Sequence, residues 1–295
     1  MERRRPGGWP AFHPRFAGFQ YDNGVALPPW VLPAIIATTF LTLLIAESVA
    51  PLRRRVEPHF RHVARNLATG GVSLAVVTLL QMPLLVPVAR LAEHYRIGLL
   101  QWIDLPRPWS VVLAIVLLDY TLWIWHWALH RVPFLWRFHL VHHVDLDLDS
   151  STALRFHFGE LALSIAARAA QIVLIGAEPF AVALWQAILF ASILFHHSNV
   201  RLPPRFEAIL ARAIVTPRMH GIHHSVREDE TNSNWSSLLS VWDFLHRTFR
   251  LDVPDESIVI GVPAYQNPPD VTIGKVLTLP FRHQRENWAA GVDDR

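Results

Sequence analysis

Between Asp119 and His143 the chain reads DYTLWIWHWALHRVPFLWRFHLVHH. In it His126 and His130 stand at i and i+4, and His139, His142 and His143 at i, i+3 and i+4. On an α-helix each set projects from one face within about one turn. The triple pattern HxxHH returns about eighty residues later as His220, His223 and His224 in TPRMHGIHHS. Scattered surface or core histidines do not repeat in this way. Three boxes at helical spacing point to a metal site carried on helix faces.

The rest of the composition asks for a bilayer. Of 295 residues, 52% are hydrophobic and 17% charged, against roughly 25% charged in a typical soluble domain. Mean hydropathy is +0.25. Twelve Trp and sixteen Phe suit helix packing and interfacial belts. Cys is absent, which excludes disulfides, thiolate metal sites and iron–sulfur clusters. Any metal must be held by nitrogen and oxygen. The pI of about 9.8 comes almost wholly from Arg, and clusters such as Arg53–Arg55 beside apolar segments suit anionic headgroups. No basic stripe is interleaved with aromatics as nucleic-acid binding would require, so no nucleic-acid partner is expected.

Taken in order, residues 1–29 form a polar tail without a signal-peptide pattern. Trp30–Ala50 is a first candidate span, with Glu47 near its end. PLRRRVEPHFRHVARN (51–66) reads as a basic loop, cytoplasmic by the positive-inside rule, in which His59 and His62 face solvent or headgroups. Arg3–Arg5 pull the other way, so the first segment either spans or lies in the interface. Val72–Ala92 is the next span, with Pro83 and Pro87 placed to kink it. Trp109–Trp127 follows and delivers the first box to the membrane boundary. Asp119 shares the helix face of His126 and is expected to hold an imidazole N–H. Glu160–Ala177, interrupted by Arg168, and Phe180–Phe195 read as a helical hairpin. The expected fold is an all-α integral membrane helical bundle of four or five spanning or hairpin helices, with a cytoplasmic histidine-rich di-metal cap. Its segments are the tail 1–29, a membrane domain 30–250 and a cytoplasmic C-terminal tail 251–295.

His157 and His197 bring the candidate ligands to ten. Structural zinc takes four ligands and catalytic zinc about three from protein. Ten nitrogens shared by two ions leave five each, which fits octahedral ions with one open position apiece. Imidazole suits iron, copper, nickel and zinc, and a pair of non-haem irons adds the redox capacity to activate O2. A zinc protease needs HExxH, but Trp127 follows His126 and neither triple box places Glu after its first His. A four-helix di-iron carboxylate protein needs ExxH pairs. A haem protein needs one or two axial ligands, and a metal transporter would hold its ligands within the spans.

The stretch 119–143 with TALRFHFGE, HHSN and TPRMHGIHHS resembles the fatty acid hydroxylase/sterol desaturase superfamily over roughly residues 109–250. The resemblance implies a membrane oxidoreductase with a histidine-rich di-iron centre on the cytoplasmic side, using O2 and external electrons to hydroxylate or desaturate a lipid C–H site. Position by position, it implies that His126, His130, His139, His142, His143, His220, His223 and His224 are iron ligands, joined by His157 and His197. His196 adjoins His197 and is expected to point elsewhere. Asn199 and Asn234 would complete the coordination sphere through hydrogen bonds or water; Arg155, Glu160 and Asp243 would act from behind the ligands. Phe158 stands where the family commonly has Pro, Asn234-Trp235-Ser236 replaces Asn-Tyr-Gly, and WDFLHRTF (242–249) replaces Trp-Asp-Arg-Leu-Phe-Gly-Thr. These departures bear on subfamily and substrate. No fused haem or flavin module is visible, so the electron donor is expected to be a separate reductase, ferredoxin or cytochrome b5-like protein. The alternatives are a non-catalytic membrane metal-binding scaffold or sensor and a zinc-dependent hydrolase; oxygen uptake that depends on reductant and lipid separates the enzyme from both.

Overall fold

Prolines decide where most of the helices begin. The computed structural model describes residues 31–288; the tail 1–29 lies outside the described residues. After α1 (Val31–Val49) and a loop, α2 (His59–Val76) runs through a π-helical turn, Val77–Gln81, into α3 (Met82–His94). Pro83 and Pro87 have no N–H to continue the hydrogen-bond ladder, and the π turn sits directly before them. α4 (Arg107–Arg131) carries Pro108 in its first turn and stops at Val132, which is extended (φ −96°, ψ 112°) because Pro133 follows. Pro133 opens α5 (Pro133–His143). The corner at Val132 therefore folds the second box back onto the first.

α6 (Phe158–Ile175) and α7 (Pro179–His197) form the expected hairpin. Short helices follow: α8 (Pro204–Leu210), α9 (Pro217–His223), α10 (Glu228–Thr231), α11 (Val241–His246) and α12 (Ile273–Thr278). The described residues contain no strand beyond isolated bridges such as Ser225–Ile260.

Among the described residues, four helical stretches are long and apolar enough to cross a membrane: His59–Gln101, Arg107–Arg131, Phe158–Ile175 and Pro179–His197. Ala34–Val49 of α1 is a shorter apolar stretch, and α1 packs on α7. Leu79, Ile45, Trp109 and Leu174 are more than 60% exposed, as lipid-facing side chains are. Inside, Leu85, Leu118, Ile165, Ile172, Trp185 and Leu189 make the bundle core. At the end away from the histidines, Gly98 (φ +105°) lies against the backbone of Gly176 (φ +71°), closer than any Cβ permits. The 95–106 loop is thereby locked to the α6–α7 turn.

Three sequence expectations change. The stretch 51–66 is a loop only as far as Pro58, because α2 starts at His59. His62 does not face solvent or headgroups. It is 1% exposed, with Nε2 2.9 Å from Asp145 Oδ2 and Nδ1 2.9 Å from Asp149 Oδ2. Carboxylates attract it inward more strongly than headgroups draw it out. Residues after 251 also do more than trail: Val262, Tyr265, Val271 and Val276 pack on Leu140, Val141 and Val144, and Val253, Ile258 and Ile260 pack on Leu148 and Ile222. This segment backs both triple boxes with apolar contact.

Candidate metal centre

The helix corner places His126 and His130 of α4 against His139 and His143 of α5, with ring centroids 5.2 Å apart for His126–His139 and 4.8 Å for His130–His143. His223 of α9 closes this group, 4.6 Å from His126 and 4.9 Å from His143. A second group joins His142 of α5, His197 at the end of α7, and His220 and His224 of the third box. Within each group, one nitrogen per residue lies within 4.8 Å of all the others.

The two HxxHH boxes are shared crosswise. His139 and His143, at i and i+4, serve the first group, and His142 the second; His220 and His224 serve the second, and His223 the first. At about 100° per residue the i+3 position lies about 60° from i and about 100° from i+4, so His142 and His223 stand at the edge of the shared face and reach the neighbouring group. Each short helix thus feeds two sites lying side by side.

The donor set fits a pair of metal ions. In an octahedral shell with metal–nitrogen bonds of about 2.1 Å, neighbouring nitrogens lie about 3.0 Å apart. The Nε2–Nε2 separations are 3.0 Å for His142–His197, 3.1 Å for His197–His220, 3.1 Å for His220–His224 and 3.2 Å for His139–His143. His130 Nε2 and His223 Nε2 are buried with no protein partner. Four of the far nitrogens are held by protein acceptors. His126 Nδ1 donates to Trp235 O (2.7 Å), His197 Nδ1 to Ile193 O (2.8 Å), His223 Nδ1 to Ser233 O (2.8 Å) and His139 Nδ1 to Glu160 Oε1 (2.9 Å). Each such bond fixes the proton on Nδ1 and leaves the Nε2 lone pair facing the group.

Metal ligation requires neutral imidazole. Burial, reinforced by the neighbouring histidines, holds His142, His143, His220 and His224 well below the usual imidazole range. Burial also takes His223 down to about 3.

Comparison with known proteins agrees with this geometry. The fatty acid hydroxylase family model matches residues 111–248, which contain every box. The chain is similar to ornithine lipid hydroxylase OlsE of Rhizobium tropici, 34% identical over 77% of this chain and 70% of that one. The chain belongs to the fatty acid hydroxylase family. It is also similar to alkylglycerol monooxygenase of Homo sapiens, 28% identical over 58% of this chain and 36% of that one. A cholesterol 25-hydroxylase-like protein of Danio rerio is 26% identical over 49% of this chain and 57% of its own. No solved structure matches significantly. As a member of the family the protein is an oxidoreductase, a membrane lipid hydroxylase of the fatty acid hydroxylase/sterol desaturase superfamily.

Nine of the ten candidate histidines of this fatty acid hydroxylase converge; His157 does not. Its Nδ1 caps α6 by accepting from Gly159 N (3.0 Å), and its Nε2 lies 3.2 Å from Leu277 O. His196, set aside on helical geometry, is absent from both groups, although its ring is 4.2 Å from that of His220.

The remaining candidates surround the two histidine groups without joining them. Asp119 does not reach His126, whose Nδ1 is taken by Trp235 O. Asp119 Oδ2 accepts from Leu239 N (3.1 Å) and Trp242 Nε1 (2.7 Å) instead. Asp243 accepts from Trp235 N and Ser236 N, both at 3.0 Å, and so fixes the carbonyl that holds His126. Asn234, at φ +52°, donates to Met219 O and Arg250 O at 2.8 Å. Asn199 exchanges two 2.9 Å hydrogen bonds with the backbone of Arg53. Both amides are spent on backbone and do not enter the coordination groups. Arg155 donates to Val141 O (3.0 Å) and Asn66 Oδ1 (2.9 Å). Of these candidates only Glu160 touches a converging histidine directly.

A polar layer that the sequence reading missed lies behind α5. DLDLDS (145–150) turns its three aspartates inward. Asp147 caps Val56 N and Glu57 N at 2.8 Å, and Arg65 joins Glu57 (2.8 Å through Nη1) to Asp145 (3.0 Å). Burial raises Asp145, but Arg155, His62 and Arg65 outweigh it and hold the carboxyl well below its ordinary range.

An apolar cavity of about 580 Å³ runs between α2, α3, α6 and α7. At the histidine end it is lined by Phe156, which stacks on His142 (4.5 Å), and by Ile193, whose carbonyl holds His197.

Proposed function

We propose that this protein inserts one oxygen atom of O2 into a C–H bond of a lipid acyl or alkyl chain, with two iron ions held by the nine converging histidines. The observation that carries this is the convergence of those histidines beside an apolar cavity, two of whose lining residues, Phe156 and Ile193, contact His142 and His197. When bound, the irons would supply the redox chemistry that activates O2, a role for which all-imidazole ligation suits iron.

The chain's own groups do the rest. His126, His130, His139, His143 and His223 would hold one ion, and His142, His197, His220 and His224 the other. Phe156 and Ile193 hold the lipid chain beside the second group and exclude water. Glu160, Trp235 and Ser233 keep the ring protons on the outer nitrogens. Hydroxylation consumes O2, two electrons and two protons, and yields an alcohol and water; a separate electron-carrier protein would deliver the electrons. We assign the histidine end to the cytoplasm because the basic run Arg53–Arg55 meets Asn199, two residues past His197, and Arg201 meets Leu52.

The test is O2 uptake by the purified, iron-quantified protein with a reductase–ferredoxin pair and membrane lipid, with 18O2 tracing of the product by mass spectrometry. Uptake that needs both reductant and lipid, with one labelled oxygen in the lipid, is expected. Bound iron without such uptake would support a metal-binding scaffold instead.

A further inference from the structure

Partway along the apolar cavity, three polar side chains from three helical segments enter it at one depth. Gln81 ends the π turn, Arg168 belongs to α6 and Gln186 to α7, and all three line the cavity. At 1.5 Å per residue, Gln81 lies about 12 Å beyond Ser73, Arg168 about 10 Å beyond Leu161, and Gln186 about 10 Å beyond Ile193. Those three reference residues line the histidine end of the same cavity.

None of the three polar groups makes a hydrogen bond or ion pair among the described residues. Arg168 has a ring contact only, its guanidinium 5.5 Å from the centroid of Trp185. A charge in the middle of a span is costly and persists where something pairs with it. A guanidinium offers five donors and no acceptor, and a bare hydrocarbon chain satisfies none of them.

We propose that Gln81, Arg168 and Gln186 form a collar that binds an oxygen acceptor on the lipid, a carboxylate or an acyl carbonyl, and so fixes which carbon lies beside the histidines. This rests on the lipid-hydroxylation reading. The collar is a ruler: a polar group held there presents a carbon about 10–12 Å along the cavity to the metal end. Arg168 is then a specificity-determining residue, remote from the reacting atoms.

The test is equilibrium binding of tritiated hexadecane, methyl palmitate and palmitate to the purified full-length protein in detergent. This readout needs neither turnover nor electrons. The wild type is expected to hold at least one oxygenated probe about tenfold or more tighter than hexadecane, the strength of a charge-assisted hydrogen bond. Preference for palmitate alone assigns the carboxylate; similar preference for both assigns the carbonyl. Arg168→Leu should erase the preference and leave hexadecane binding unchanged. Should that variant fail to accumulate, the Gln81→Leu/Gln186→Leu double variant, which keeps the guanidinium, should weaken the same preference. Equal binding of all three probes by the wild type, or a preference that survives in Arg168→Leu, overturns the collar alone. Failure of every probe to bind overturns the cavity as a lipid slot, and the collar with it.

Discussion

Glu160 Oε1 stands 2.9 Å from His139 Nδ1, and both side chains are buried. α6 begins two residues earlier, at Phe158, so its first acidic residue reaches the box on α5 from behind. The carboxylate accepts the outer ring proton and makes the inner nitrogen a stronger ligand. Partners of this kind are worth about 10–100-fold in metal affinity or activity. Glu160→Ala is expected to lose iron to a competing chelator in that range, and Glu160→Gln, which keeps an accepting oxygen, to lose less. Unchanged iron retention in Glu160→Ala would show that His139 keeps its orientation without the carboxylate.

The crosswise sharing of the triple boxes sets a second expectation. His142 and His143 are adjacent in sequence but serve different groups. His142→Ala should release metal from the four-histidine group first, and His223→Ala from the five-histidine group. Either should abolish turnover while the protein remains in the membrane. His157→Ala should keep its iron and lose about 1 kcal/mol of stability as an N-cap. Iron quantification beside thermal unfolding separates the outcomes, and full activity in either ligand variant contradicts the assignment.

The buried layer behind α5 carries a prediction about stability. Asp145 is shared by His62, Arg65 and Asn66, and all four residues are buried. Removing Asp145 takes one partner from each of His62, Arg65 and Asn66 and leaves buried positive charge uncompensated, which costs about 3–5 kcal/mol. Asp145→Ala is therefore expected to unfold far below the wild type in detergent, before any effect on chemistry is considered. His59, whose side chain is 33% exposed at the rim, should tolerate Ala within about 0.5 kcal/mol. Similar melting of the two variants would mean the layer is held by packing alone.

The sequence made the converging histidines legible because helical spacing is a local property. His139, His142 and His143 declare a face wherever the helix lies, and Pro133 announces the corner that turns α5 back. What spacing does not encode is which face meets which. The split of each box between two groups, the capture of Asp119 by Trp242 and the diversion of His157 to cap α6 all depend on contacts more than twenty residues apart or on cap geometry. His62 departs from its sequence expectation for the same reason: its neighbours in sequence are basic, and its neighbours in space are Asp145 and Asp149. DLDLDS beside a histidine box was the one available signal for that layer. The backing given by residues 253–276 had no motif to announce it, since its apolar residues are spread among prolines and charges.

Gly70 and Gly71 separate packing from substrate access on neighbouring residues of α2. Both line the cavity. A Cβ on Gly70 would lie 2.7 Å from Leu154 O, a backbone atom that cannot swing aside, whereas a Cβ on Gly71 meets nothing within 4 Å. Gly70→Ala should force α2 away from the 152–154 turn and destabilise the protein by about 1–3 kcal/mol, as overpacking does. Gly71→Ala should be neutral or stabilising by up to about 1 kcal/mol, because Ala is the better helix former. Gly71→Leu keeps that space-compatible backbone and projects a side chain toward the lipid path. It is expected to leave iron content and melting near wild type while lowering kcat/KM for a long-chain lipid about tenfold or more, a loss of 1.4 kcal/mol or greater in transition-state binding. Kinetics and melting on the same three preparations read all of this at once. Wild-type kinetics in Gly71→Leu would place the lipid somewhere other than between α2, α3, α6 and α7.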